Sequence, residues 1–179
     1  KKNEKDAEKQ LEADKLEAGD DYKILSDNGI PVIHPDPDKQ KLHKQMINHF
    51  SIANRELEEA ESSLAKAKEG MKIIETAKTQ MDIIKGDTVH VVFSSIEKKT
   101  ALREQNAIIE KTKREFGFKK TAENRSYGVR GERGSKSQST SYHLDEKYIE
   151  KQIAKVESKK KSRIMMKNRL KESTKTLIK

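Results

Sequence analysis

The chain has 179 residues, of which 32% are apolar, 4% aromatic and 39% charged, with no cysteine and no tryptophan. Globular domains usually contain roughly 45–50% apolar residues, so this composition excludes a large globular core. It favours long helices that each bury one narrow apolar stripe, or partial disorder. Without cysteine, the chain has no disulfides and no thiolate metal sites.

The net charge of +9 is distributed unevenly along the chain. Residues 1–97 carry about 15 basic and 20 acidic side chains, whereas residues 98–179 carry about 24 basic and 10 acidic ones. The C-terminal half therefore projects a positive field that attracts polyanions.

The sequence shows no segment for membrane insertion or secretion. It lacks a run of about 18 apolar residues, and its start, KKNEKDAEKQ, has no apolar core of a signal peptide. We therefore expect no membrane span, and a cytoplasmic location or a place within a virion or other assembly. Because the first residue is not methionine, we expect an incomplete or processed N-terminus.

Residues 1–37 predict a charged N-terminal helix and a proline-rich connector. The helix is rich in strong helix formers, has almost no apolar face and ends at Gly19. In the connector, the pair Asn28 and Gly29 between two short apolar runs is typical of a hairpin turn. Three prolines argue equally for an extended loop. We expect the loop, with its apolar side chains covering a helix end.

Residues 38–117 carry the strongest periodic signal. Apolar positions alternate by three and four over about four heptads, which predicts a long helix from Asp38 to Lys85 with one apolar seam. We expect a short strand over 88–94 and a second helix from Ser95 to Phe116. The two helices pair as a hairpin within the chain or as a coiled coil between chains. The seam consists of Met46, Phe50, Ala53, Leu57, Ala60, Leu64, Ala67, Met71 and Ile74.

Residues 118–143 predict an irregular basic arm rich in glycine and serine. Its glycines at 128, 131 and 134 have the period of collagen, but three triplets without proline cannot hold that helix. A GxxG loop of the KH type would need a surrounding βααβ unit, which the sequence does not indicate. A flexible linker and a segment that orders on phosphates remain the two interpretations.

Residues 144–179 predict a basic C-terminal helix. Its run of lysines and arginines is either a solvated helical face or a phosphate-facing stripe. With few aromatic residues nearby, we expect electrostatic, sequence-non-specific binding that weakens steeply with salt. The candidate polyanion-binding residues of the arm and helix are Arg125, Arg130, Arg133, Lys136, Lys159, Lys160, Lys161, Arg163, Lys167 and Arg169.

No motif in the sequence indicates catalysis. A P-loop, a nucleophile elbow and a dinucleotide-binding fingerprint are all missing, and the five histidines lack the spacing of metal ligands. We expect His90 to lie half-buried on the short strand. We therefore expect no enzymatic activity, no cofactor, no metal and no small-molecule substrate.

The segment HVVFSSIEKKTALREQNAIIEKTKREFGF, residues 90–118, resembles part of the relaxase family of plasmid-mobilising nickases. In that family a metal-binding strand is followed by a helix ending in a glutamate, aromatic and glycine cluster such as REFGF. The resemblance implies a fragment of a DNA-mobilisation protein in which His90 corresponds to a metal ligand. The other histidines of that site have no counterpart here, and the long heptad helix does not belong to the family pattern.

These observations predict a mostly α protein, an elongated helical hairpin or coiled coil with one short strand and an irregular basic arm. Its segments are 1–37, 38–117, 118–143 and 144–179. We expect a non-enzymatic structural or adaptor component of a larger assembly. It would contact protein, or a second copy, through 46–84 and the backbone of RNA or DNA, or another polyanion, through 118–179. The alternatives are a purely protein-binding scaffold, such as a virion or secretion-machine part, and the relaxase-like fragment.

Overall fold

A computed structural model describes residues 2–86, 95–125 and 136–175. These residues form helices α1 (Lys2–Ala18), α2 (Tyr22–Asp27), α3 (Gln40–Gly86), α4 (Ser95–Phe116) and α5 (Glu146–Lys175), and strands β1 (Phe118–Arg125) and β2 (Lys136–His143). The predicted mostly α class is confirmed. None of the helices in these ranges has an apolar stretch long enough to cross a lipid bilayer.

The chain divides into two compact units. The first unit contains residues 1–61 and 155–179, and the second contains residues 62–154. Helices α3 and α5 contribute residues to both units. The first unit therefore combines two segments that are distant in sequence, whereas the second is one continuous stretch.

The core of the first unit joins the connector to α3 and α5. The side chains of Leu25, Phe50 and Leu170 are fully buried there. The connector begins with α2, not with the extended loop that the sequence predicts, and then turns at Gly29, whose φ is +62°. Its apolar residues cover the start of α3, as expected. The complete core cluster is Leu25, Ile30, Val32, Ile47, Phe50 and Leu170.

A single 3₁₀ turn, Pro37–Lys39, leads into α3. The carboxylate of Asp36 accepts a hydrogen bond from the N–H of Asp38 at 3.1 Å, and Pro37 occupies the first position of the turn. An aspartate stabilises a helix start in this way because its side-chain oxygen accepts from a backbone N–H that has no partner within the helix.

The core of the second unit joins α3 to α4 and to the start of α5. It consists of Ala67, Ile74, Ala77, Ile109 and Leu144, with partly buried residues around them. At Gly70 the helices come so close that an added Cβ would lie 2.6 Å from both the Cβ of Phe116 and the Cδ2 of Leu144. Glycine weakens a helix on its own, but here it permits the close approach of neighbouring elements.

The two strands pair as an antiparallel hairpin in the second unit. The register runs from Phe118 opposite His143 to Arg125 opposite Lys136. The predicted irregular arm is therefore wrong for residues 118–125 and 136–143. Both strands are polar and lack the apolar alternation that marks a strand in sequence. The predicted strand over 88–94 lies outside the described residues.

The apolar seam of α3 packs inside the chain. Phe50, Ala60, Ala67 and Ile74 are at most 1% exposed, Ala53 and Leu57 are buried, and Met46, Leu64 and Met71 are partly buried. Leu170 of α5 shares the core with Phe50, whereas Ile109 of α4 shares the core with Ala67 and Ile74. In the described residues, the seam thus packs against helices of its own chain.

Candidate polyanion-binding surface

Two of the candidate lysines on α5 form ion pairs with α3 in the first unit. The Nζ of Lys159 donates to the carboxylate of Glu56 at 2.5 Å, and the Nζ of Lys160 lies 3.6 Å from the carboxylate of Glu61. Both lysines are candidates from sequence. Because α3 carboxylates already neutralise them, they contribute less to the field at the outer surface than their charge alone suggests.

Arg163 lies against the core of the first unit. Its guanidinium carbon is 5.9 Å from the centroid of the fully buried Phe50 ring, which is cation–π distance. Its Nε is buried and has no hydrogen-bond partner. Arg163 therefore covers the core with its side chain, as long cationic residues often do at a protein surface.

The remaining three candidates of the C-terminal helix form what we call the outer set of α5: Lys161, Lys167 and Arg169. Lys161 and Arg169 are exposed, and Lys167 is partly exposed. At 100° per residue, Lys161 and Arg169 lie on the side of α5 opposite the buried Val156. No ion pair involves the outer set in the described part of the chain. These cations are free to contact an anionic partner.

The hairpin brings together two candidates that are eleven positions apart in sequence. Arg125 and Lys136 are paired register positions at the end of the described ladder. Their Cα atoms are therefore about 4.5–5.5 Å apart. Arg130 and Arg133 lie outside the described residues.

Two further basic residues lie near the base of the hairpin, where Phe118 pairs with His143, and are not among the candidates predicted from the sequence. Lys119 and Lys120 are exposed and form no ion pair among the described residues. They directly follow Phe118, which is 51% exposed. The sequence signal was the FKK triplet itself, an aromatic residue followed by two cations.

An open groove lies between the end of α4 and β2 in the second unit. Its lining is mixed in charge, since Glu110 pairs with Lys113 at 2.9 Å while Arg114 is exposed and unpaired among the described residues. The exposed guanidinium of Arg114 supplies the kind of hydrogen-bond donors that a phosphate group would need. The residues around the groove are Glu110, Lys113, Arg114, Thr140, Ser141 and Tyr142.

Two buried histidines of the first unit serve packing. The ring centroids of His34 and His43 are 5.3 Å apart in an edge-to-face arrangement. The Nδ1 of His34 accepts from the N–H of Asp36 at 2.9 Å, which assigns the proton to Nε2. The Nε2 of His43 donates to the carbonyl oxygen of Pro31 at 2.7 Å, and its Nδ1 is buried without a partner.

The pKa of His43 is lowered, first by desolvation of the buried ring and also by the neighbouring His34, while the hydrogen bond to Pro31 acts in the opposite direction. The ring is thus kept neutral. Among the residues described, no group of three or more potential metal ligands comes together. His90, the residue implied by the relaxase resemblance, lies outside the described ranges.

Comparisons with known proteins give no relative for this chain: no family model, no curated protein and no solved structure matches it significantly.

Proposed function

We propose that this protein is a non-enzymatic structural or adaptor component of a larger assembly that binds the backbone of nucleic acid. The outer set of α5 supports this proposal most directly, because Lys161, Lys167 and Arg169 are accessible while other cations of the same helix pair with α3. If every lysine of α5 were paired with a carboxylate of α3, the helix would present no unpaired cations to a phosphate. The contacts would be electrostatic and independent of base sequence.

The hairpin of the second unit carries further cations of the basic segment 118–179. Lys119 and Lys120 are exposed, and the paired positions Arg125 and Lys136 add two more cations. Lysine and arginine contacts to phosphates release counterions, and this release supplies most of the affinity of non-specific binding.

The sequence also predicts contacts with protein partners through the heptad seam, and the structure gives these contacts less support than it gives the basic surface. Seam residues such as Phe50 and Ile74 already pack against helices of the same chain. We therefore assign the contact with the assembly to the basic surface and not to residues 46–84.

The test is a salt titration of binding to a fluorescein-labelled 20-base-pair duplex and to an RNA of equal length, followed by anisotropy. We expect log K to fall linearly with log salt. The triple variant Lys161→Gln, Lys167→Gln and Arg169→Gln should reduce the magnitude of that slope by about 2–3, since each phosphate contact contributes about 0.9. Circular dichroism checks that each variant is folded.

A matched control removes the same number of charges from exposed positions of α3: Lys66→Gln, Lys68→Gln and Lys78→Gln. If the proposal holds, this control keeps a slope close to that of the wild type. Equal loss in both triple variants, or binding that does not change with salt, would contradict it. Binding to polyglutamate without binding to either nucleic acid would favour the purely protein-binding scaffold.

A further inference from the structure

We infer that Phe118 is a stacking platform for an unpaired base, so that the ligand of the second unit is single-stranded nucleic acid. This inference rests on the proposed function. It adds that the nucleic acid is single-stranded and that Phe118 makes the contact that distinguishes a single strand from a duplex. Sequence alone predicts binding by charge only, because the aromatic residues near the basic segment are few.

The first observation is the exposure of the Phe118 ring. Its side chain is 51% exposed, although the chain contains only four phenylalanines. The ring stacks on Tyr148 with a centroid separation of 6.0 Å and an interplanar angle of 25°. The exposed ring therefore has a fixed partner within the protein and accessible surface for a ligand.

The second observation is that both rings belong to well-anchored backbone. Phe118 is the first residue of β1 and pairs in register with His143, directly before the buried Leu144. The carboxylate of Asp145 accepts from the N–H of Tyr148 at 2.8 Å and so caps the start of α5. A platform whose position is set before binding costs less ordering entropy when the ligand arrives.

The third observation is the charge around the two rings. Lys120 lies two positions after Phe118 on the same face of β1, while Lys119 lies on the other face. Lys147 precedes Tyr148, and Lys151 lies one turn further along α5. All four lysines are exposed and unpaired in the described part of the chain.

The acidic residues nearby in sequence do not cancel this charge. Glu146 and Glu150 line a groove that also contains Lys68 and Lys72 of α3. At 100° per residue, both glutamates lie on the opposite side of α5 from Tyr148. The carboxylate of Asp145 is engaged at the helix start.

An aromatic ring flanked by lysines is the arrangement that binds single strands, because unpaired bases stack on the ring while phosphates contact the cations. A duplex keeps its bases stacked on each other and offers no free base face to Phe118. A surface that acted by charge alone would favour the duplex, which has the higher charge density.

The experiment measures anisotropy with the full chain, a labelled 15-nucleotide oligo(dT) and a labelled 15-base-pair duplex. Phe118→Ala should weaken oligo(dT) binding about tenfold, as expected for the loss of one stacked base, with an unchanged salt slope. Duplex binding should stay within twofold of the wild type. Phe118→Tyr should keep the oligo(dT) affinity within about threefold of the wild type. Phe118→Leu should lose as much affinity as Phe118→Ala, because leucine is apolar like phenylalanine but has no ring on which a base can stack.

Ile164→Ala is the matched control, since this residue is 57% exposed and lies on α5 in the first unit. It should change neither affinity. Unchanged oligo(dT) binding by Phe118→Ala and Phe118→Leu, or an equal loss for duplex and single strand, would overturn the stacking role and leave the proposed function intact. Wild-type protein that binds neither probe would overturn both.

Discussion

The Nε2 of His34 donates a hydrogen bond to the carbonyl oxygen of Ser173 at 3.1 Å, and this bond joins the connector to the last turn of α5. The same ring contacts His43, which in turn donates to the carbonyl of Pro31. The two buried histidines thus hold together three segments of the first unit. This arrangement predicts a stability that depends on pH.

The stability of the protein should fall as the pH decreases below 6.5, the ordinary pKa of a histidine side chain. Well above that value His43 is neutral in both the folded and the unfolded chain, so its burial carries no pH-dependent cost. Below it, the unfolded chain takes up a proton first, because burial lowers the pKa of His43 in the folded state. The loss should level off once the pH falls below the folded pKa. Urea unfolding at pH values from 8 to 5.5 measures the effect.

Two glutamine variants separate this histidine from the others. His43→Gln removes the titrating group, so its stability should vary less with pH than that of the wild type. His49→Gln, at an exposed position of the same helix, should follow the wild-type curve. Three parallel curves would show that His43 does not control the pH dependence.

Gly70→Ala should destabilise the protein by about 1–2 kcal/mol. Alanine gains about 1 kcal/mol of helix propensity over glycine, but a Cβ here would meet the Cβ of Phe116 at 2.6 Å. Overpacking of this kind typically costs about 1–3 kcal/mol, and a severe clash costs more than the propensity returns. Gly86→Ala is the control, because an added Cβ there meets nothing within 4 Å. A stabilised Gly70→Ala variant in thermal unfolding would refute the close approach.

Leu170→Ala should destabilise the protein by about 2–5 kcal/mol, the usual range for a fully buried leucine. Leu170 is 0% exposed and shares the core with Phe50. Met165→Ala on the same helix, at a position that is 45% exposed, should stay within about 0.5 kcal/mol of the wild type. Chemical denaturation followed at 222 nm measures both. Similar, small effects for the two variants would mean that α5 does not pack on this core.

Helices with strong local signals are predicted well from the sequence. The expected second helix, Ser95 to Phe116, agrees with α4, and the expected long helix from Asp38 to Lys85 agrees with α3 to within two residues. In both cases periodic apolar residues coincide with residues that end a helix, such as Gly86 and Gly117. These signals lie within a few turns of the chain, so no tertiary information is needed.

The hairpin could not be predicted in the same way. Polar strands depend on cross-strand partners for their stability. The partner of Phe118 is His143, and a local window of sequence does not contain both.

The orientation of the α5 cations depends on which face of α5 is buried. The sequence partly indicates that face, since Arg163 lies seven residues from both Val156 and Leu170, which are buried. Heptad spacing places Arg163 on the same side of the helix as these two residues. The ion pairs of Lys159 and Lys160 require the position of α3 as well, which the sequence does not supply.

The two kinds of cation on α5 should also differ in chemical reactivity. Lys159 is 31% exposed and held by Glu56, whereas its second neighbour Lys161 is exposed and unpaired among the described residues. Acetylation by a soluble reagent, or by an enzyme, would therefore reach Lys161 first and lower the attraction to phosphates while leaving the helix in place. A cell that modifies this lysine would have a reversible way to release the protein from the proposed nucleic-acid ligand without unfolding it.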